Sequence, residues 1–390
     1  MRKIINLLVA AMAATSLHAQ GIDETLSQIE QNNLELQALR QQSQADKLEV
    51  KTRNSIDDPN VEYSPFFNSG TSGMAMSELV VTLGFDFPTL YAARHTAGKY
   101  RQEALSSQYE ASRREILLEA KTLCLDLIRL NQESELILQR LHCADELLEL
   151  FQRRLDEGDV SILDVHKIKM KRMDIKAEQT ANDAQHRETL QKLLAFNAGI
   201  PLQFSATSYP EADQLIDLDV LMDEILTTDA SLQSSNANLL AARKEVSVSR
   251  QGWLPKLEVG YRRNTELDEK FNGFLIGGSL PIFTNRHKTK IAKAQALSAQ
   301  LFLDDARLKT QAEVHALFNS IRQTAEALQV YDLQLMSSTL NLLYQAVTEG
   351  QLSIIDYYSE ADDVYTNMTE RIRLECDYHK LLAKAYKNRL

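Results

Sequence analysis

Glycine, proline and cysteine are scarce in this chain: 390 residues contain 13 Gly, 7 Pro and 3 Cys. Gly costs about 1 kcal/mol and Pro about 3 kcal/mol inside a helix, so a chain poor in both and rich in Ala, Leu, Glu, Gln, Lys and Arg is expected to be dominated by long helices. An odd number of cysteines excludes a fully paired disulfide framework. Cys124 and Cys143 fall on one expected helix, about 28 Å apart at 1.5 Å per residue, too far to bridge. All three cysteines read as small buried hydrophobes. The aliphatic content is ample for a core, and the length could hold two or three domains.

Blocks of like charge are missing as well. The net charge of −11 is spread along the chain, so the charges read as solvated helix faces and argue against a nucleic-acid partner. Catalytic signatures are absent: no G-x-S-x-G, P-loop or G-x-G-x-x-G occurs. The eight His lack H-x₃-H or H-E-x-x-H spacing, and His142 with Cys143 is an isolated pair, so neither metal, cofactor nor enzyme is expected.

Long apolar runs are missing beyond the first residues, and no window approaches the ~18 apolar residues of a transmembrane helix. A membrane-embedded mature chain would therefore have to be a β-barrel. The opening MRKIINLLVAAMAATSLHAQ sets Arg2 and Lys3 before an apolar run that ends in small residues near Ala19. It reads as a secretory signal peptide, 1–19. A membrane anchor is the weaker alternative because the run is short. No Cys follows the run, so a lipid anchor is not indicated.

What is present is a duplication. EGDVSILDV, from Glu157, returns as EGQLSIIDY, from Glu349. Pro59 in DDPNVEY answers Pro255 in WLPKLEVGY, and FDFPTLYAARH answers GSLPIFTNRH, with an offset drifting from 196 to 192. An internal repeat of this kind sets the plan of the fold.

The first repeat is expected over 20–200: a helix over 23–55, strands at about 59–68 and 77–88, a long helix 89–157, a tip turn, and a helix 160–198. A linker follows at 201–218. The second repeat, 219–390, is expected to hold a helix over 219–251, strands at about 255–264 and 272–282, a long helix 284–349, a tip turn, and a helix 352–389. Leu79, Val81, Leu83, Phe85 and Phe87 alternate with Val80, Thr82, Gly84 and Asp86, the period of a strand with one apolar face. Phe274, Ile276, Leu280 and Ile282 repeat the pattern against Gly277 and Ser279. The connections 68–77 and 264–272 are polar and read as too long for tight turns.

After each strand pair the period becomes helical. Leu127, Leu130, Ser134, Ile137, Leu141, Ala144, Leu148, Phe151 and Leu155 step by threes and fours, as do Leu317, Ile321, Thr324, Leu328, Tyr331, Leu335, Ser338 and Leu342. A helix over 91–156 would be about 100 Å long at 1.5 Å per residue, so an elongated bundle is expected. Four strands cannot cover their own edges, which points to a closed barrel shared by several chains.

These features together resemble the TolC-like outer-membrane efflux proteins of Gram-negative bacteria. NNLELQALR in the early helix, the strand openings, LPIFTNRHKTKIAKAQA and both EG-x-x-S-I-[LI]-D turns carry the resemblance, which spans the chain after residue 19. It implies a mainly α fold with a small β part: a homotrimer in which each chain gives four strands to a twelve-stranded outer-membrane barrel, with long coiled-coil helices in the periplasm. It implies a passive channel of a tripartite efflux or type I secretion system, fed by an inner-membrane pump through a periplasmic adaptor. A periplasmic coiled-coil adaptor or scaffold is the alternative, though it would not need duplicated amphipathic strands.

By this resemblance the repeated turn lies at the periplasmic tip. Gly158 and Gly350 let the chain reverse, being free to take positive φ. Val160, Ile162, Leu163, Leu352, Ile354 and Ile355 match adaptor-docking positions, although some could instead pack the helix pairs together. Asp164, Asp356 and Glu360 are placed at the entrance gate, where three-fold symmetry would bring carboxylates together; Asp164 and Asp356 could equally be helix N-terminal carboxylates favoured by the dipole. In relatives the first-repeat Asp is tied to a Tyr and an Arg, and here those positions hold Val347 and Leu352. Arg94-His95 and Arg286-His287, at the starts of the long helices, oppose the macrodipole and suggest a lipid phosphate partner. Trp253 reads as part of an interfacial aromatic belt.

Overall fold

The computed structural model describes residues 21–67, 73–211, 215–266, 269–283 and 285–390. The expected signal peptide and part of the 68–77 connection lie outside them. The helices are α1 (Ile22–Asn32), α2 (Leu34–Thr52), α3 (Pro88–Glu157), α4 (Ile162–Phe196), α5 (Leu218–Thr228), α6 (Ala230–Gln251), α7 (Lys288–Val330), α8 (Leu333–Thr348) and α9 (Ile354–Ala385). The strands are β1 (Asn60–Phe67), β2 (Met74–Phe85), β3 (Lys256–Glu266) and β4 (Glu269–Ser279). Among the described residues no helix is long and apolar enough to cross a membrane.

Three expected helices are each interrupted once, two of them by the same device. The early helix stops at Asn33 and its counterpart at Asp229, positions one repeat offset apart; the second long helix stops before Asp332. Asp229 Oδ1 accepts from the backbone N–H of Ser231 and Leu232 at 2.9 and 3.0 Å, and Asp332 Oδ1 accepts from those of Gln334 and Leu335 at 2.9 and 3.0 Å. These side chains replace a turn of backbone pairing, so a new helix starts where the apolar period runs on unbroken. Asn33 instead donates to the Phe196 carbonyl at 2.9 Å, tying α1 to the end of α4.

The two long helices also begin differently. Pro88 occupies the first position of α3, where its missing N–H costs nothing. Pro281 does not start α7, which begins only at Lys288 after His287 takes a φ of 70°.

The chain divides into two compact units. One contains β1 to β4, α2, α5, α6, the start of α3 and most of α7. Its sheet is antiparallel in the order β1-β2-β3-β4. Tyr63 pairs with Leu79, Val81 with Tyr261, and Tyr261 with Phe274. The polar stretch expected to be a loop over 264–272 is mostly paired strand, since β3 and β4 meet through Glu266 and Glu269. Backbone pairing needs no apolar side chain, so strands whose ends are polar run beyond the limits that alternation marks.

The other unit holds α1, the rest of α3, α4, the end of α7, α8 and α9. Leu125, Leu127, Ile128 and Leu130 of α3 are at most 1 % exposed, and Ile137, Ala144 and Ile175 form a further patch of core between α3 and α4. The second series is covered less well: Ile321 is buried, yet Leu335 and Leu342 are 63 % and 65 % exposed. The linker is strapped onto this unit. Asn131 and Gln132 of α3 donate to the carbonyls of Ala206 and Thr207, both at 2.9 Å, and the Tyr209 ring stacks on His379 of α9 at 4.3 Å.

Candidate functional site: the paired tip turns

Both repeated turns belong to the second unit, and they are built alike. α3 ends in a Schellman motif in which the Gly158 N–H donates to the Leu155 carbonyl at 3.1 Å and the Asp159 N–H to the Arg154 carbonyl at 2.8 Å. α8 ends the same way, with Gly350 to Val347 at 3.2 Å and Gln351 to Ala346 at 2.8 Å. The motif needs a left-handed residue, and Gly158 and Gly350 take φ of 84° and 77°.

The restart is duplicated too. Ser161 Oγ accepts from the Asp164 N–H at 3.2 Å, while Asp164 Oδ2 accepts from the Ser161 N–H at 3.0 Å. Ser353 Oγ accepts from the Asp356 N–H at 3.1 Å and donates to Asp356 Oδ2 at 2.6 Å. The S-I-[LI]-D core of the repeat is therefore a serine cap that closes the first turns of α4 and α9, completed to a capping box at α4 by the Asp164 carboxylate. Asp164 and Asp356 serve these caps, and Asp356 and Glu360 remain exposed.

The six apolar tip residues divide. Ile354 is 2 % exposed and belongs to a core with Leu147, Phe151, Val165, Ile168, Tyr357 and Tyr358; Val160 and Leu352 pack partly against it. Ile354 therefore packs the helix pairs together, the alternative role left open for some of these residues. Ile162, Leu163 and Ile355 are 50 %, 73 % and 59 % exposed. Ile162 and Ile354 occupy equivalent repeat positions, so the two turns are alike in backbone and unlike in burial.

Val347 is fully buried in the same core. Around it the two helical hairpins, α3–α4 and α8–α9, are joined by polar ties that sequence reasoning missed. Tyr344 Oη donates to Glu146 Oε2 at 2.8 Å; burial, with Glu146 beside it, pushes the phenol up to about 12, so it stays a donor. The Arg154 guanidinium donates to the Thr348 carbonyl, one of the unpaired acceptors at the end of α8. Lys171 pairs with Asp362, and Arg140 lies over the Tyr365 ring at 5.0 Å. The only signal in the sequence was the cluster Tyr344, Tyr357, Tyr358 and Tyr365.

The three cysteines are free thiols. Burial raises Cys124 to about 12 and Cys376 to about 11, which keeps them protonated and inert. Among the described residues no group of His, Cys, Asp and Glu is arranged to hold a metal ion.

In the first unit, the Arg94 guanidinium pairs with Asp86 of the same chain at 2.6 Å. Ser279 stands where the second repeat would need the same acid. His95, Arg286 and His287 are exposed, and Trp253 is 51 % exposed.

The architecture is shared with solved channels. The outer-membrane channel OprN superposes with a TM-score of 0.75 at 13% identity, covering 94% of this chain and 89% of that one. The CmeC outer membrane channel of Campylobacter jejuni gives 0.75 at 15% identity, over 94% and 85% of the two chains. The outer membrane protein VceC of Vibrio cholerae gives 0.73 at 14%, over 93% and 95%. No curated protein sequence matches this chain. The family model for outer membrane efflux proteins matches residues 25–196 and 221–359, so the two hairpins and their tip turns, together with the four-stranded sheet, are those of a chain that belongs to the outer membrane efflux protein family.

Proposed function

We propose that three copies of this chain form an outer-membrane conduit, which receives its cargo from an inner-membrane pump through a periplasmic adaptor and supplies no energy or catalysis itself. The observation that carries this reading is the sheet. Its edges β1 and β4 have no strand partner among the described residues, and Phe274 and Ile276 of β4 are 93 % and 87 % exposed. Closure of three such sheets into twelve strands removes every edge and gives the apolar face to lipid. Leu335 and Leu342 on α8, and Leu301 and Leu308 on α7, are the helical faces that neighbouring copies would cover.

In this reading Ile162, Leu163 and Ile355 are the adaptor contacts, while Val160, Leu352 and Ile354 hold the tip in shape. Asp356 and Glu360 line the entrance, with Asp164 beside them. The ties Tyr344–Glu146, Arg154–Thr348 and Lys171–Asp362 hold the hairpins together in place of the lock that Val347 and Leu352 cannot make. Trp253, His95, Arg286 and His287 face the inner boundary of the membrane.

Planar-bilayer conductance of the purified trimer tests the reading. Wild type is expected to conduct weakly and to be blocked by divalent cations from the tip side. Asp356→Asn keeps an acceptor for the cap and should be blocked less. Tyr344→Phe with Arg154→Ala should conduct several-fold more by freeing the hairpins. A soluble monomer that never enters the bilayer would refute the conduit.

A further inference from the structure

The register of the four strands sorts their side chains onto two faces. Val61 and Tyr63 of β1, Val81 and Leu83 of β2, Val259 and Tyr261 of β3, and Phe274 and Ile276 of β4 share one face. Every carboxylate of the strands, Glu62, Glu78, Glu258, Glu266 and Glu269, falls on the other. Arg262 lies there too and pairs with Glu78 at 2.9 Å.

The apolar face carries two charges, and both are positive: Arg263 and Lys270. Arg263 stands level with Tyr63, opposite Leu79 and Asn272, and Lys270 lies two residue pairs further toward the hairpin end, opposite Thr265. Diagonal neighbours of this kind have Cβ atoms roughly 7–8 Å apart, within common reach of two long side chains. Among the described residues neither has an ion-pair partner.

Their level on the sheet is informative. Tyr261 Oη donates outward to Asn272 Oδ1 at 2.7 Å, and Tyr63 and Tyr261 are exposed at the upper limit of the apolar band. Tyrosines in that position mark the interface between hydrocarbon and head groups. The two cations begin where the band ends, on a face that carries no acid among the described residues, and a cation on a lipid-exposed surface is tolerated where an anionic head group meets it.

We propose that Arg263 and Lys270 form a binding site for the phosphate groups of an anionic lipid in the outer leaflet. The guanidinium can take one phosphate by a paired hydrogen bond while the ammonium neutralises a second charge. This site lies at the opposite end of the sheet from Trp253, Arg286 and His287. It rests on the membrane placement of the sheet and not on transport.

Native mass spectrometry of the full chain in detergent tests it, with bis-phosphorylated lipid A and the same lipid stripped of phosphate as probes and inorganic phosphate as competitor. Wild type is expected to retain the phosphorylated lipid about tenfold more strongly, as two charge-assisted contacts would give. R263Q/K270Q should lose that preference, while Arg263→Lys and Arg262→Gln should keep most of it. Equal retention by wild type and R263Q/K270Q would overturn the proposal. So would displacement by millimolar inorganic phosphate, which would indicate a free-anion site. Conductance should be unchanged in R263Q/K270Q, so failure of the conduit and failure of the lipid site appear in different measurements.

Discussion

Gly158 and Gly350 sit in the left-handed region, and nothing lies within 4 Å of where a Cβ would be added. Substitution there is opposed by the dihedral angle alone. Gly158→Ala and Gly350→Ala should each destabilise by about 1 kcal/mol, read as a lowered midpoint in thermal unfolding. Ala198, at the end of α4, has the reverse problem, since it takes a φ of 55° and is exposed. Ala198→Gly should raise the midpoint by relieving a strain of similar size. A pair of shifts with the same sign would contradict this account of the turns.

The linker strap can be tested as an element. Burial lowers the pKa of His379, and the nearby Lys121 ammonium adds to the effect. A depressed folded-state pKa means that the unfolded chain binds the proton more tightly, so stability should fall as pH drops below about 6.5 toward the folded value. His379→Phe keeps a ring for Tyr209 to stack on and should flatten the dependence over that window, measured as unfolding midpoint against pH. An unchanged slope would show that the strap is not what titrates. The elements themselves were legible from the sequence wherever burial shapes the pattern: the duplication, the strand faces and the tip turns all follow from side chains that must be hidden or a backbone that must reverse. The breaks at Asn33, Asp229 and Asp332 were not, because each turns on a single polar side chain inside an unbroken apolar period. The polar ends of β3 and β4 escaped for the same reason, being held by backbone pairing that leaves no mark in hydropathy. At the tip, Asp164 and Asp356 were visible as carboxylates near helix starts, while the serine caps beside them were not read. The ties from Tyr344, Arg154 and Lys171 were not, since their partners lie in the other hairpin, far away in sequence.

At the scale of the whole molecule, the two faces of the sheet predict opposite responses at adjacent positions. Phe274→Lys places a charge on the apolar face, level with Tyr261, and should cost up to about 1 kcal/mol per chain at that depth, added over three chains and seen as a loss of outer-membrane trimer on gels run without heating. Gly273→Lys points the same charge to the other face, where nothing lies within 4 Å of the added Cβ, and assembly should survive. Equal damage from both would mean that the sheet does not separate lipid from an aqueous interior. The hairpin end of this sheet has a further consequence, for what the cell shows to its surroundings. In the proposed barrel the outer end of each chain has six residues between Phe67 and Met74 and two between Glu266 and Glu269, so a phage or an antibody approaching from outside would meet few residues, and an epitope tag for surface labelling belongs in the longer first connection.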